Sequence, residues 1–138
     1  METEDIMIDI EIMPEILVSK LICPDGTVLH SKYRHDFQEH TDTVTGQWMM
    51  LDGGNSYIKH SGTGELFTVT TEDPHELIRE HFIWGSRGKL GDEPLVYLIL
   101  KNIEDDHLSA ILRTQTQLSS HIVKVFENEA EYRTYNVI

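Results

Sequence analysis

Cysteine is nearly absent: Cys23 is the only one in 138 residues. That excludes an internal disulfide framework and sets a reducing compartment as the expectation. Proline is scarce too, at four residues, and no Pro-rich or low-complexity linker divides the chain. No apolar run approaches the ~18–20 residues that a membrane-spanning helix needs, so no membrane association is expected. From Met1 to Glu15 there are six acids and no base, the reverse of the basic start of a secretory leader. A cytoplasmic location is the resulting expectation.

Positive charge is the other scarcity. Eleven Lys and Arg stand against 24 Asp and Glu, for a net charge of −13. The bases are scattered singly, without the cluster or stripe that neutralising several phosphates requires, which argues against direct nucleic-acid binding. An acidic surface instead keeps a protein soluble, steers it toward basic partners, or imitates a DNA backbone.

What is present suits one domain. The length fits a single core, and 39% apolar with 25% charged residues is ordinary for a globular fold. Ile6, Ile8, Ile10 and Ile12 alternate with Met7, Asp9 and Glu11 as in a strand until Pro14 stops it. Residues 1–15 therefore read as an acidic N-terminal arm. Residues 16–138 read as one α+β domain, β-rich and ribbon-like over 16–71 and helical over 72–138. The β-rich part is expected to be an antiparallel meander of about six short strands. These lie near 16–22, 27–33, 35–40, 47–51, 57–60 and 66–70. Asp25 and Gly26 mark one turn between them, and Asp52, Gly53 and Gly54 another.

The character then changes. Asp73-Pro74-His75-Glu76 predicts a helix start, with Asp73 as N-cap, Pro74 at the first helical position and Glu76 closing a capping box. Leu77, Ile78, His81 and Phe82 form its apolar face, His75 is expected to be exposed, and Trp84-Gly85 ends it. A strand at 95–100 and two further helices, from Asp105 and over 118–135, complete the expected pattern.

Candidate chemistry is thin. His35, His40 and Asp42 are residue types that bind zinc, iron or manganese, although their spacing forces no arrangement. His75 and His81 do not share a face as metalloprotease histidines at i, i+4 do. The segment from Gly85 to Gly91 runs helix to loop to strand, so it is not a phosphate loop. Its Arg87 and Lys89 are nonetheless the one close basic pair, a contact point for a phosphate or carboxylate, with Trp48 and Trp84 as aromatic walls. Cys23 has no neighbouring base in the sequence, and no nucleophile is assigned.

Several collinear segments resemble a family of small tailed-phage proteins of uncharacterised function. They are 25–29, 31–37, Asp52-Gly53-Gly54 with Tyr57, and Asp73-Pro74-His75-Glu76 with Ile78-Arg79-Glu80. Further on come Trp84-Gly85 with Gly88-Lys89 and Gly91, Pro94-Leu95, and His107-Leu108 with Ala110-Ile111-Leu112. The resemblance covers most of residues 20–132 and implies a biological setting without any catalytic residues. The front half, from Leu21 to Tyr57, is also similar to a zinc-ribbon-like phage and bacterial family. Its first cysteine knuckle falls on Ile22 to Asp25, and its second on His40 and Asp42. Ile22 cannot bind metal and Cys23 is displaced by one, so the resemblance implies a ribbon that has lost its zinc.

The combined expectation is a non-enzymatic phage accessory protein that binds and modulates a host or phage protein through its acidic surface. No cofactor is expected, and a homo-oligomer is compatible with the sequence. The alternatives are a small-ligand protein for a nucleotide signal, using Arg87, Lys89, Trp48 and Trp84, and a metal-dependent hydrolase using His35, His40 and Asp42.

Overall fold

Alternation and turn chemistry set the first half of the chain. The computed structural model describes residues 14–88 and 90–136. The strand expected in the N-terminal arm lies outside them. Six strands come first: β1 (Ile16–Ile22), β2 (Val28–Ser31), β3 (Gln38–Thr41), β4 (Trp48–Asp52), β5 (Lys59–Ser61) and β6 (Glu65–Thr70). Helix α1 (His75–His81), strands β7 (Ile83–Ser86) and β8 (Val96–Ile99), a 3-10 turn (Leu100–Asn102), and helices α2 (Asp105–Thr114) and α3 (Ser120–Tyr135) follow. The class is α+β, with antiparallel sheets of short strands and three helices.

The order of the strands is not a simple meander. They form two three-stranded antiparallel sheets, β2-β1-β6 and β3-β4-β5, plus the β7-β8 hairpin. β5 is three exposed residues long and pairs on one side only, with β4. The chain turns back through Gly62-Thr63-Gly64, and β6 lays Leu66 and Val69 against β1 instead. The single strand expected after the first helix is a strand pair, because Trp84 and Gly85 do not end a helix but pair with Leu98 and Tyr97.

β1 carries two hydrophobic clusters. Its register with β6 shifts between Ile16 and Val18, a bulge that lets consecutive Leu17 and Val18 both turn inward. These two join Val69, Ile78, Phe82, Leu100, Leu108 and Phe126 in the helical cluster. Further along the strand, Leu21 and Cys23 join Leu29, Met49 and Leu51 in the ribbon cluster. Phe126 is fully buried and meets Phe82 and Trp84 edge-on, at 5.8 and 5.1 Å between ring centres, a favoured geometry for aromatic pairs.

The Asp52-Gly53-Gly54 turn is held from below. Ser19 Oγ donates to the Gly54 carbonyl at 2.8 Å, and Gly54 N–H donates to Ser31 Oγ at 2.8 Å. Gly53 and Gly54 have φ of +118° and +54°, and a Cβ on Gly54 would stand 2.4 Å from the Tyr33 backbone. Only glycine fits there.

The start of α1 differs from the expected capping box. Pro74 occupies the cap, and its carbonyl accepts from the N–H groups of Leu77 and Ile78. Asp73 reaches backwards: its Oδ2 accepts the Thr70 N–H at 2.8 Å. A carboxylate can close the preceding turn as readily as cap the next helix, and here the bond to Thr70 wins.

Candidate functional site

The first constellation is the junction of two turns. Within the turn after β1, Asp25 Oδ1 accepts the Thr27 N–H at 2.9 Å, a local Asx closure. Asp25 Oδ2 accepts from His40 Nε2 at 2.7 Å, and from the Thr43 N–H and Oγ1 at 2.9 and 3.1 Å. Asp42 answers reciprocally. Its Oδ1 accepts the Asp25 N–H at 2.8 Å, and its Oδ2 accepts the Thr45 N–H and Oγ1 at 2.7 and 2.8 Å. Hydrogen bonds from His40, Thr43 and Thr27 hold the Asp25 carboxyl far below the usual carboxylate range. At Asp42 desolvation opposes ionisation, and the bonds from Thr45 and Asp25 overcome it.

Asp25, His40 and Asp42 are thus brought together, as a hydrogen-bonded clamp between the 23–27 and 42–47 turns. Both Asp42 oxygens face N–H donors, whose partial positive charge repels a cation. Among the described residues no three His, Cys, Asp or Glu side chains are disposed to hold a metal ion. Burial pushes the Cys23 thiol up, and Asp25 and Asp42 push it further, which favours the protonated thiol over the thiolate.

His35 is not part of that clamp. It sits on the Tyr33–Asp36 turn at φ +67°, the one left-handed non-glycine residue among those described. Its Nδ1 lies 2.7 Å from Tyr57 Oη, which donates to Asp52 Oδ2 at 3.0 Å. The phenol has one proton and gives it to Asp52, so His35 Nδ1–H is the donor to Tyr57. Desolvation and Asp52 raise the Tyr57 pKa, which keeps the phenol protonated. The relay ties the 33–36 turn to the 52–57 turn.

The aromatic and basic candidates separate. Trp48 lies half-exposed on β4, against Phe37 and bonded through Nε1 to Glu39 at 2.9 Å. Trp84 and Arg87 instead line one cleft of about 540 Å3 between the β7-β8 hairpin and α2. Lys89 lies outside the described residues.

A second fully buried charge lies outside every residue group that the sequence marks as a candidate site. Glu129 is fully buried on α3. Its Oε1 accepts from His75 Nε2 and Arg79 Nε, both at 2.9 Å. Its Oε2 accepts from Arg79 Nη2 at 2.9 Å and Arg133 Nε at 2.8 Å. Arg133 continues to Asp105 and to the Leu100 carbonyl, and Arg79 stacks over Tyr132 at 4.4 Å. His75 is therefore turned inward, not exposed, because a buried carboxylate needs donors. Desolvation would raise the Glu129 pKa, but bonds from Arg79, Arg133 and His75 lower it overall. Two signals were present in the sequence: an acid on the apolar period of α3, and a His-Arg pair at i, i+4 on α1. The cluster locks α1, α2 and α3 together.

Comparison with protein-family models, with characterised proteins and with solved structures finds no match.

Proposed function

We propose that this is a non-enzymatic binding protein that engages a basic surface on another protein through the outer rows of α1 and α3. The observation that carries this reading is how charge is partitioned between the two faces of these helices. Arg79 and Arg133 turn inward onto Glu129, while Glu76 on α1 and Glu127 and Glu131 on α3 stand exposed, and exposed Glu80 is paired with Lys101. Both inner cations are held by the buried acid, which leaves exposed carboxylates in excess on the outer rows, on a chain of net charge −13. In the setting that the family resemblance implies, the partner is a host or phage protein, and the acidic rows would cover a basic nucleic-acid-binding face.

The test is binding to a basic partner across ionic strengths from about 0.05 to 0.3 M, where screening shortens from beyond 10 Å to below it. Affinity should fall steeply with salt. The triple variant Glu76→Lys, Glu127→Lys, Glu131→Lys should lose binding with unchanged thermal unfolding. Binding that is insensitive to salt and to the triple variant would refute the reading.

One observation favours a small-ligand role as well: Trp84 and Arg87 share a cleft. His35 stands apart from His40 and Asp42, and no observation favours a hydrolase built on the three.

A further inference from the structure

The cleft between the β7-β8 hairpin and α2 differs from the rest of this acidic molecule in the charge it presents. Arg87 reaches it from the glycine-rich loop after β7, and His107 and Arg113 from α2. His107, Ala110, Ile111 and Thr114 all line it, at i, i+3, i+4 and i+7, so one face of α2 forms the wall. Ala110 on that wall and Gly85 and Gly91 opposite project little side chain into the space between them, while the Glu93 carboxylate lies against Gly88 at its edge. The volume of about 540 Å3 falls in the ordinary range for small-molecule sites. A second hollow of about 730 Å3 continues it and shares Ser86, Gly88 and His107.

The arginines of this cleft differ from the two that hold Glu129. Arg79 and Arg133 are each held by carboxylates. Arg87 and Arg113 form no ion pair among the described residues, although the chain has 24 acids to offer. The one acid that lines the cleft, Asp106, is engaged in an interaction of its own. The base of Arg87 is fixed by the loop's own bonds: the Glu93 N–H donates to the Arg87 carbonyl at 2.8 Å, and the Gly88 N–H to Ser86 Oγ at 3.1 Å. The guanidinium fork presents paired donors that match an oxyanion. Trp84, held edge-on by Phe126, supplies a rigid apolar wall.

We infer that this cleft binds a small anionic molecule, its phosphate or carboxylate group paired with Arg87 and Arg113 and its flat or apolar part against Trp84. The inference stands on the cleft alone and does not depend on the acidic rows of α1 and α3.

The experiment uses the Trp48→Phe protein, in which Trp84 is the one remaining tryptophan. Its fluorescence is followed while adenosine monophosphate, inorganic pyrophosphate or citrate is added. Adenosine monophosphate and pyrophosphate should each give a saturable change, with the former tighter because its ring meets Trp84. A citrate response equal to that of pyrophosphate would assign the site to oxyanions in general, and a silent citrate arm to phosphate. Arg87→Ala and Arg113→Ala should each weaken binding about tenfold, the loss expected for a charge-assisted hydrogen bond. Arg34→Ala, outside the cleft, should leave binding intact, and thermal unfolding should be unchanged throughout. The inference is overturned if no probe saturates by about 5 mM, beyond the ~1 mM of a weak specific site. It is equally overturned if the two cleft variants bind as the parent does.

Discussion

Replacing Glu129 with glutamine tests the buried cluster with the least change of shape. Gln keeps Oε1 and the bonds from His75 Nε2 and Arg79 Nε. It puts an NH2 group where Oε2 accepts from Arg79 Nη2 and Arg133 Nε, so donors then face donors. Two charge-assisted bonds disappear, each worth about 1.5–3 kcal/mol, and two guanidinium groups lose their shared counter-charge. Side-chain exposures of 19% for Arg79 and 17% for Arg133 let water recover part of the loss. The expected cost is therefore about 3 kcal/mol, the low end for breaking a buried ion pair. With a urea slope of about 1.5 kcal/mol per molar for a chain of this size, the midpoint should fall by about 2 M. Glu127→Gln, two residues away and exposed, should stay within about 0.5 kcal/mol of wild type. Acid adds a second readout. The folded pKa of Glu129 lies below its unfolded value, so the unfolded chain holds the proton more tightly. The contribution to stability is complete above the unfolded pKa and is lost as pH falls through the folded one. Glu129→Gln should remove that part of the acid sensitivity. A midpoint within about 0.5 M of wild type would show that the cluster does not hold the helices together.

Two further outcomes can be read by thermal unfolding. Gly54→Ala should destabilise by more than about 3 kcal/mol, because its Cβ would collide with the Tyr33 backbone. Gly26→Ala meets open space and should cost about 1 kcal/mol of left-handed strain alone; equal losses at the two sites would refute the close approach. His30, across from Lys20 on β1, has its pKa lowered from 6.5 to about 4 by burial and then by Lys20 and Lys32. The unfolded chain therefore binds the extra proton between these values, and stability should fall as pH drops from about 6.5 toward 4. His30→Gln should lose less stability over that window than wild type does, and parallel losses would contradict the assignment.

What could be read from the sequence was local. The strand at 16–22, the turns at Asp25-Gly26 and Asp52-Gly53-Gly54, and the helices from Asp105 and through 118–135 follow from period and turn chemistry within a few residues. The return of β6 to β1 does not. It joins residues about fifty apart in the chain, and nothing near Glu65 marks the partner. The Asp73 cap failed for a local reason of the opposite kind: two bonds were open to one carboxylate, and the competitor, Thr70 N–H, lay just upstream. At the site level, Trp84 and Arg87 meet because they are three residues apart on one hairpin. Trp48, on another sheet, could be grouped with them only by residue type. His75 and Glu129 are 54 positions apart, and their contact depends on how α1 docks against α3, which no pattern in either helix specifies alone.

The bulged strand β1 has a consequence for how the protein comes apart. Within a few residues it supplies Val18 to one interior and Leu21 to the other, with buried Ser19 between them pinning the glycine turn. A chain cut between β6 and α1 would yield two fragments, each with an unfinished interior. The C-terminal piece would expose Phe82 and Phe126 where Leu17, Val18 and Val69 had covered them. Proteolysis there should therefore give not two stable halves but two sticky ones, soluble only while they remain clasped around the same strand.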